Sequence, residues 1–420
     1  MKRTTTSHAS TWFGTLLALA AAASALVVSP NARALPRMSL TAGSPCATCH
    51  VSPQGSGARN DIGWGMALDM ALHTPKAFTK LETNGFADGK VMLGIDTRLQ
   101  IARMGKPTAD PNASPTDAMF SGYTPGIKPD MLVIPMQMQP YLTATPFDWL
   151  VVSGSYNVST TKSQYPGQSP WDAQVIIHAS PMAPTVRLGM IQPTIGIRHD
   201  DHTMLLRADA MDPRRPLVPA GYAEWGGEVS WQPKSWLRAD AGAFLNRNMR
   251  TASQAREADP VRASSDGLGW NARLMTLPQL MDMGLNSWAG VSAMGTGDLL
   301  LLNGFVGVGK DGLGSLQLEA SRSTGADGYH TLAFMGLASW NFKEWLVFEA
   351  RLEQARADAD LAAGHKAGST RQLVLGAQFF PLPYLEIRPE YRLIRSTRTT
   401  SAAKDEYILG QYALQVHVYF

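Results

Sequence analysis

Cys46-Ala47-Thr48-Cys49-His50 holds both cysteines of the chain and ends on a histidine. Two thiols at this spacing can add to the two vinyl groups on one edge of a haem, and the adjacent imidazole then takes an axial position on the iron. C-x-x-C-H is the sequence form of that chemistry. The competing readings are a disulfide and half of a zinc site. Zinc requires further Cys or His at ligand spacing, and none follows nearby. A redox C-x-x-C opens a helix after a strand in a βαβ unit, which the neighbouring sequence does not offer. One covalent haem c on Cys46, Cys49 and His50 is therefore the expectation.

The sixth iron position is open among several side chains. Met66, Met70 and His73 follow on a helix expected over Asp61–His73, where Met66 and Met70, four apart, share a face. A methionine would raise the potential and a second histidine lower it. Packing against the porphyrin or the wall is the ordinary role for either methionine. A more distant histidine such as His178 could take the position instead, or it could stay empty. Arg59 is placed to neutralise a haem propionate or to face solvent. A second cluster, His199-Asp200-Asp201-His202, pairs two carboxylates with two imidazoles, a donor set suited to a transition metal such as iron. Its plain alternative is a polar loop held by Asx-type turns and a pair with Arg198 or Arg207.

Haem attachment occurs outside the cytoplasm, and the N-terminus reads as an export signal. Lys2 and Arg3 precede an apolar stretch, Trp12 to Val28, and Ala32-Arg33-Ala34 offers a small-x-small cleavage site before Leu35. The apolar stretch is too short and too close to that site for a retained anchor.

Beyond the haem segment the dominant period is two. Tyr412, Leu414, Val416, Val418 and Phe420 alternate with Ala413, Gln415, His417 and Tyr419. Val91, Leu93, Ile95, Thr97, Leu99 and Ile101 alternate with Asp96, Arg98 and Gln100. The same pattern recurs at Leu132–Leu142, Leu150–Val158, Val175–His178, Trp225–Gln232, Leu346–Glu353 and Leu385–Leu393. An apolar face opposite a charged one suits strands between lipid and a wet lumen. Such runs number about sixteen, an even count as bacterial barrels require. Short connections at Thr145–Asp148, Ser180–Pro184, Gln232–Ser235, Lys310–Gly312, Phe342–Glu344 and Pro381–Tyr384 alternate with longer ones. The longer ones are Ala102–Asp130, Ser159–Pro170, Arg198–Gly221, Asn246–Asp266, Gln354–Thr370 and Ser396–Glu406. Short turns face the periplasm in outer-membrane barrels, so both ends of the barrel chain belong on that side, with the haem segment at the inner mouth or folded up as a plug.

Composition agrees. Of 420 residues 45% are hydrophobic and 17% charged, and the mean hydropathy of −0.11 lies near zero, as expected when half of each strand meets lipid and half water. Trp149, Trp171, Trp231, Trp236, Trp340, Trp345 and Tyr384 sit near strand ends, where aromatic girdles form. A net charge of +3 with no basic stripe gives no reason to expect nucleic acid as a partner. The expected organisation is a signal peptide (1–34), a monohaem cytochrome c-like segment (35–86) and an all-β, antiparallel transmembrane barrel (87–420) in the outer membrane of a Gram-negative bacterium.

This layout resembles the fused monohaem cytochrome–porins of bacterial outer membranes, a group with iron-oxidising members. In residues the likeness lies around the haem motif, where Cys46-Ala-Thr-Cys-His50-Val-Ser-Pro53-Gln-Gly55-Ser-Gly57-Ala-Arg59-Asn60 is similar to a Cys-x-x-Cys-His-x-x-Pro-x-Gly-x-Gly-x-Arg-Asn segment of family members. The iron-oxidising members lack this Gly-rich run. Arg187–Arg207, with Gly189, Pro193 and Gly196, also resembles a strand-and-loop pattern of porin-like relatives. The resemblance implies electron transfer between a periplasmic cytochrome and an extracellular redox partner or metal ion. A diffusion or uptake porin with a structural or sensory haem plug is the alternative, and a distal haem position that binds a small ligand is a third.

Chain produced in a host with haem-attachment machinery should keep its haem colour through denaturing electrophoresis. Changing both Cys46 and Cys49 to Ala should leave a colourless band, and a colourless parent band would remove the haem from the account.

Overall fold

The computed structural model describes residues 40–41, 49–52, 54–55, 58–78, 85–87, 89–104, 131–161, 165–180, 183–197, 204–207, 217–219, 221–254, 267–277, 279–280, 284–361, 364–399 and 404–420. The proposed signal peptide, Cys46, and His199 to His202 lie outside these residues.

The strands follow one another around a closed antiparallel ring. They are β2 (Val91–Met104), β3 (Leu132–Phe147), β4 (Leu150–Tyr156), β5 (Trp171–His178), β6 (Thr185–Ile191), β7 (Glu224–Lys234), β8 (Leu237–Phe244) and β9 (Gly269–Thr276), then β11 (Leu285–Thr296), β12 (Leu299–Lys310), β13 (Gly314–Thr324), β14 (His330–Lys343), β15 (Leu346–Leu361), β16 (Gly364–Leu382), β17 (Leu385–Thr399) and β18 (Lys404–Tyr419). Each pairs with its sequence neighbour, β9 pairs with β11, and β18 closes onto β2. Two-residue strands, β1 (Gly85–Phe86) and β10 (Gln279–Leu280), add to β2 and β11. The ring proper is a sixteen-strand barrel. Closure fastens the C-terminus: Ile95 and Phe420 exchange both backbone hydrogen bonds, at 2.6 and 3.0 Å, and the Tyr141 hydroxyl donates to the Phe420 carbonyl at 2.9 Å.

Alternation sorts the faces as expected. Leu93, Trp225, Val229, Leu352, Leu393 and Tyr412 face outward, while Asp96, Gln100, Glu228, Arg392 and Gln411 face the lumen and are buried. A continuous apolar belt around a barrel without free edges is stable only in lipid, and closure satisfies every ladder hydrogen bond inside it. Trp149, Trp231 and Trp340 are exposed near the tight turns and Trp225 near the opposite rim, in girdle positions. Trp236 and Tyr384 are not girdle residues; both are turned into packed clusters.

Three sequence expectations need correction. In β3 a bulge between Gln137 and Pro135 breaks the single period through Leu132–Leu142, so Val133 is outward before it and Met138 and Leu142 after it. Gln354–Thr370 and Ser396–Glu406 are not loops but the tops of long hairpins, paired up to Leu361↔Gly364 and Thr399↔Lys404. At roughly 3.3 Å per residue, β14 to β18 make a tall wall and the short β4 to β6 a low one. Finally, the connection after β6 turns inward. Thr194 is buried against Glu228 of β7 and Asn271 of β9, and Ile195, Ile197, Leu205 and Leu206 are buried against side chains of β9, β11, β12, β14, β15, β17 and β18. The Leu205 N–H donates to Glu353 at 2.9 Å, and Ser321 donates to the Leu206 carbonyl at 2.5 Å.

A protease-cleavable tag inserted within residues 105–130 should be cut on intact cells, and one between Lys234 and Ser235 should be protected. The reverse pattern would invert the barrel.

Candidate functional site

The segment that carries the haem motif lies inside the barrel. Backbone hydrogen bonds from Asn60 to Cys49 (3.1 Å) and from Val51 to Ala58 (3.0 Å), with a bridge between His50 and Arg59, fold residues 49–60 into a hairpin. Gly55 sits at its tip with φ +79°, a conformation that favours glycine. Helix α1 (Asp61–Asp69) starts where Asn60 caps it, its side chain accepting from Gly63 N at 3.1 Å. α1 lies so close to the motif that a Cβ on Gly63 would stand 2.1 Å from the Cys49 carbonyl oxygen. Only glycine permits that approach, so Gly63 fixes the motif against the helix.

α1 also seats the segment at the inner mouth. Trp64 stacks on Tyr384 with centroids 4.3 Å apart and meets Phe420 edge-on at 6.4 Å. The Arg59 guanidinium lies 3.8 Å from the centroid of the Tyr419 ring, a cation–π contact. Burial, with Tyr419 nearby, pushes the Tyr384 phenol up to about 12 despite Arg59. The helix ends at Asp69, short of His73, because the wall takes over: Leu72 and His73 N–H groups donate to the Phe380 and Pro381 carbonyls at 2.8 and 3.2 Å.

The hairpin tip is bolted into a buried ionic network on the opposite wall. Gln54 Nε2 lies 2.9 Å from Asp240, 3.2 Å from Glu228 and 3.2 Å from Ser230, and Gln54 Oε1 accepts from Arg273 at 2.6 Å. Glu228 pairs with Arg187 at 2.6 Å. Asp240 pairs with Arg238 at 3.0 Å and Arg273 at 2.8 Å. The inward connection enters the same network, since Thr194 donates to Glu228 through N (2.9 Å) and Oγ1 (2.7 Å), and Arg273 donates to the Gly196 carbonyl at 3.1 Å. Arg273 thus ties the segment entering from below to the connection entering from above. Leu40 and Ile197, one from each, share a cluster with Trp288 and Phe305.

Of the expected haem residues, Cys49, His50 and Met66 are brought together. Cys49 carries a free, half-buried thiol whose Sγ lies 3.2 Å from Met66 Sδ. Burial pushes this thiol up in pKa, against the opposing charge of Arg59. Met70 caps the far end of α1, and His73 lies exposed beyond it. His73 is held by its N–H to the Pro381 carbonyl on the wall at 3.2 Å, past the end of the nine-residue helix whose Gly63 and Met66 meet Cys49. His178 ends β5 and contacts Thr185 at 3.1 Å. Sequence reasoning missed Gln54, Gly63 and Arg273.

Gln54→Leu removes the side-chain hydrogen bonds of Gln54, leaving the tip only the long Arg187–Ser52 contact to the network (3.4 Å), and leaves Asp240 and Arg273 short of a buried partner. The expected cost is about 2–4 kcal/mol to docking of the segment. Limited proteolysis should then cut within residues 40–80 while the barrel keeps its heat-modifiable mobility on electrophoresis. Gly63→Ala should loosen the same segment from its other end.

No protein-family model and no curated protein matches the chain. Among solved structures, the outer-membrane channel DcaP of Acinetobacter baumannii is similar over 79% of this chain and 97% of its own, at 10% identity and a TM-score of 0.52. An anion-selective porin from Comamonas acidovorans covers 79% and 99% at 12% identity, with a TM-score of 0.48. The likeness to the first is one of fold, and the chain has the porin-like barrel of an outer-membrane channel.

Proposed function

We propose that the chain is an outer-membrane electron-transfer protein, a fusion of a monohaem cytochrome c-like segment with a porin-like barrel. One haem c would be held by Cys46, Cys49 and His50, and when bound it supplies one-electron Fe(III)/Fe(II) exchange. The observation that carries this reading is the seat of the motif. A hydrocarbon layer of about 30 Å separates the two compartments, so one haem serves only if it stands within the wall. Here the hairpin is clamped at both ends, by Gly63 and Trp64 at the mouth and by Gln54 in the lumen.

The residues present fit the group. Cys49 has a thiol in no disulfide, His50 follows it on a backbone fixed to Arg59, Asn60 donates to the Cys49 carbonyl, and Gly63 lies against it. Arg59 brings a positive charge beside the motif, of use to a propionate. Met66 touches the Cys49 sulfur, and thioether sulfurs attach at the rim of the macrocycle, so its contact favours packing on the ring edge over ligation. A periplasmic cytochrome would meet the inner mouth, and the donor or acceptor, iron among the candidates, would act from outside. His199, Asp200, Asp201 and His202, outside the described residues, would be the donors if a metal ion is the outside partner.

The alternative, a solute channel with a structural or sensory haem plug, is favoured by a polar cavity of about 110 Å³ beside the plug, lined by Ser52 on one side and Gln139, Ser155, Asp172 and Gln174 on the other. Proteoliposomes separate the two readings. Full chain loaded with haem should couple an external reductant to an enclosed cytochrome, and His50→Ala should lower the rate at least tenfold with the barrel still heat-modifiable. Transfer that is absent in the parent protein, alongside solute flux indifferent to haem, would sink the electron-transfer reading.

A further inference from the structure

On the outward face of the tall wall the side chains change character at one level. Toward the outer rim, the outward positions of β13 run Leu316, Leu318, Ala320 and then Arg322. On β15 they run Phe348, Ala350, Leu352, Gln354 and then Arg356. On β16 Leu375 and Leu373 give way to Arg371, and on β17 Tyr391 and Leu393 give way to Arg395. In all four strands the first charge above the apolar run is an arginine, and all four arginines are exposed. The inner girdle under this wall is the stack of Trp340, Phe342 and Phe348. From Phe348 to Arg356 is about 26 Å along the tilted strand, and barrels of this class carry an apolar band of roughly 25 Å. The arginines therefore stand where the outer leaflet meets its headgroups.

The arginines are close together and short of counter-charge. Arg322 and Arg356 flank Leu332 from either side, Arg356 lies opposite Ser369, and Arg371, two residues from Ser369, lies opposite Arg395. Neighbours in the row are thus one or two strand spacings apart, about 5–10 Å. The acids that face the same way are occupied: Glu406 pairs with Arg395 at 2.6 Å, Asp358 with His330 at 2.5 Å, and Asp360 stands higher, against Gly328. Arg322, Arg356 and Arg371 make no ion pair among the described residues, and three like charges at this spacing repel one another. Below them the wall is hollowed by a dent of about 720 Å³ that spans β11 to β16. Gly304, Ala320 and Gly336 form its floor, with Leu318, Phe334 and Leu352 at its sides, and Gln354 and Arg371 line its upper end. A Cβ on Gly304 would meet nothing within 4 Å, so internal packing does not demand glycine there. The cationic row and the apolar dent form one continuous surface.

From this we infer that the outward face of β11–β16 binds a phosphorylated, multiply acylated glycolipid of the outer leaflet, with acyl chains along the dent and phosphate on Arg322, Arg356 and Arg371. Guanidinium forks match phosphate oxygens in pairs, and the row is wide enough to hold more than one phosphate. Free phosphate would leave the dent unused. A second copy of the chain meeting this face through the same surface would set arginine against arginine. The inference does not depend on haem, so its failure and that of the electron-transfer proposal are read separately.

The test is native mass spectrometry of the full chain in detergent, titrated with bisphosphorylated lipid A, with the same lipid stripped of its phosphates, and with phosphatidylglycerol. Bisphosphorylated lipid A should bind at least tenfold tighter than either of the others, equally in haem-loaded protein and in protein with Cys46 and Cys49 changed to Ala. Arg356→Gln combined with Arg371→Gln, which keeps most of the side-chain bulk, should weaken it at least tenfold, since charge-assisted hydrogen bonds are lost. Gly304→Leu fills the dent and leaves the arginines in place, and it should weaken binding by about threefold or more. Heat-modifiable mobility checks that each variant folds. Lipid A binding that either change leaves as in the parent would overturn the proposal, as would equal affinity for the stripped lipid or for phosphatidylglycerol. Self-association of the parent that Gly304→Leu abolishes, with lipid A binding untouched, would assign the surface to a second copy of the chain instead.

Discussion

The architecture hangs on two buried carboxylates, Glu228 on β7 and Asp240 on β8. Three guanidiniums surround them, and the N-terminal hairpin and the connection after β6 both reach in to bind the same groups. Desolvating five ionised side chains is expensive, and such a set is tolerated only when nearly every lone pair and N–H finds a partner. Gln54 and Thr194 supply several of those partners. The network is therefore complete only when both inserts are in place, which couples the position of the haem motif to that of the inward connection. What it confers is specificity of docking rather than net stability, since a buried ionic set is weak evidence for the latter. A segment attached to the barrel only through its own chain would otherwise find many apolar ways to lie in so wide a lumen.

The two ends of the hairpin are held by different physics, and that division suits an insert. At the mouth the contacts are aromatic and steric: Trp64 on Tyr384, Arg59 on Tyr419, and Gly63 under Cys49. In the lumen they are ionic and hydrogen-bonded. Apolar stacking is tolerant of small displacements, whereas the donors and acceptors around Gln54 are directional. The tip sets the depth of the segment and the aromatic base absorbs the slack. The result is that the backbone of Cys49 and His50 is fixed from two sides, by Asn60 and by the bridge to Arg59.

Much of this was legible in the sequence, for reasons that also explain what was not. Period two survives wherever a strand separates lipid from lumen, so the barrel, its strand number and its short turns could be read from runs such as Leu385–Leu393 and Tyr412–Phe420. The reading failed where that solvent contrast ends. Above the membrane both faces of a strand can be polar, and Ala355, Ala357 and Ala359 alternating with Arg356, Asp358 and Asp360 still carried the period, with alanine as the inward residue. Read as composition it was a loop; read as periodicity it was a strand. The bulge in β3 left no such trace. Nor did Gln54, since a glutamine beside a glycine announces a turn, and its partners lie more than 170 residues further along the chain.

The inward connection was misplaced for a related reason. Its length and its His, Asp, Pro and Arg content suggest a solvated loop, yet Ile195, Ile197, Leu205 and Leu206 within it are apolar enough to need cover. In a barrel that cover is available in one direction only, into the lumen. Once inside, its backbone amides require acceptors, and the lumen wall offers them as carboxylates: Glu228 to Thr194, Glu319 to Ile197, Glu353 to Leu205. Glu228, Glu319 and Glu353 are thus docking points for inserted main chain. This reverses the usual expectation for charges facing a barrel interior, where they line water.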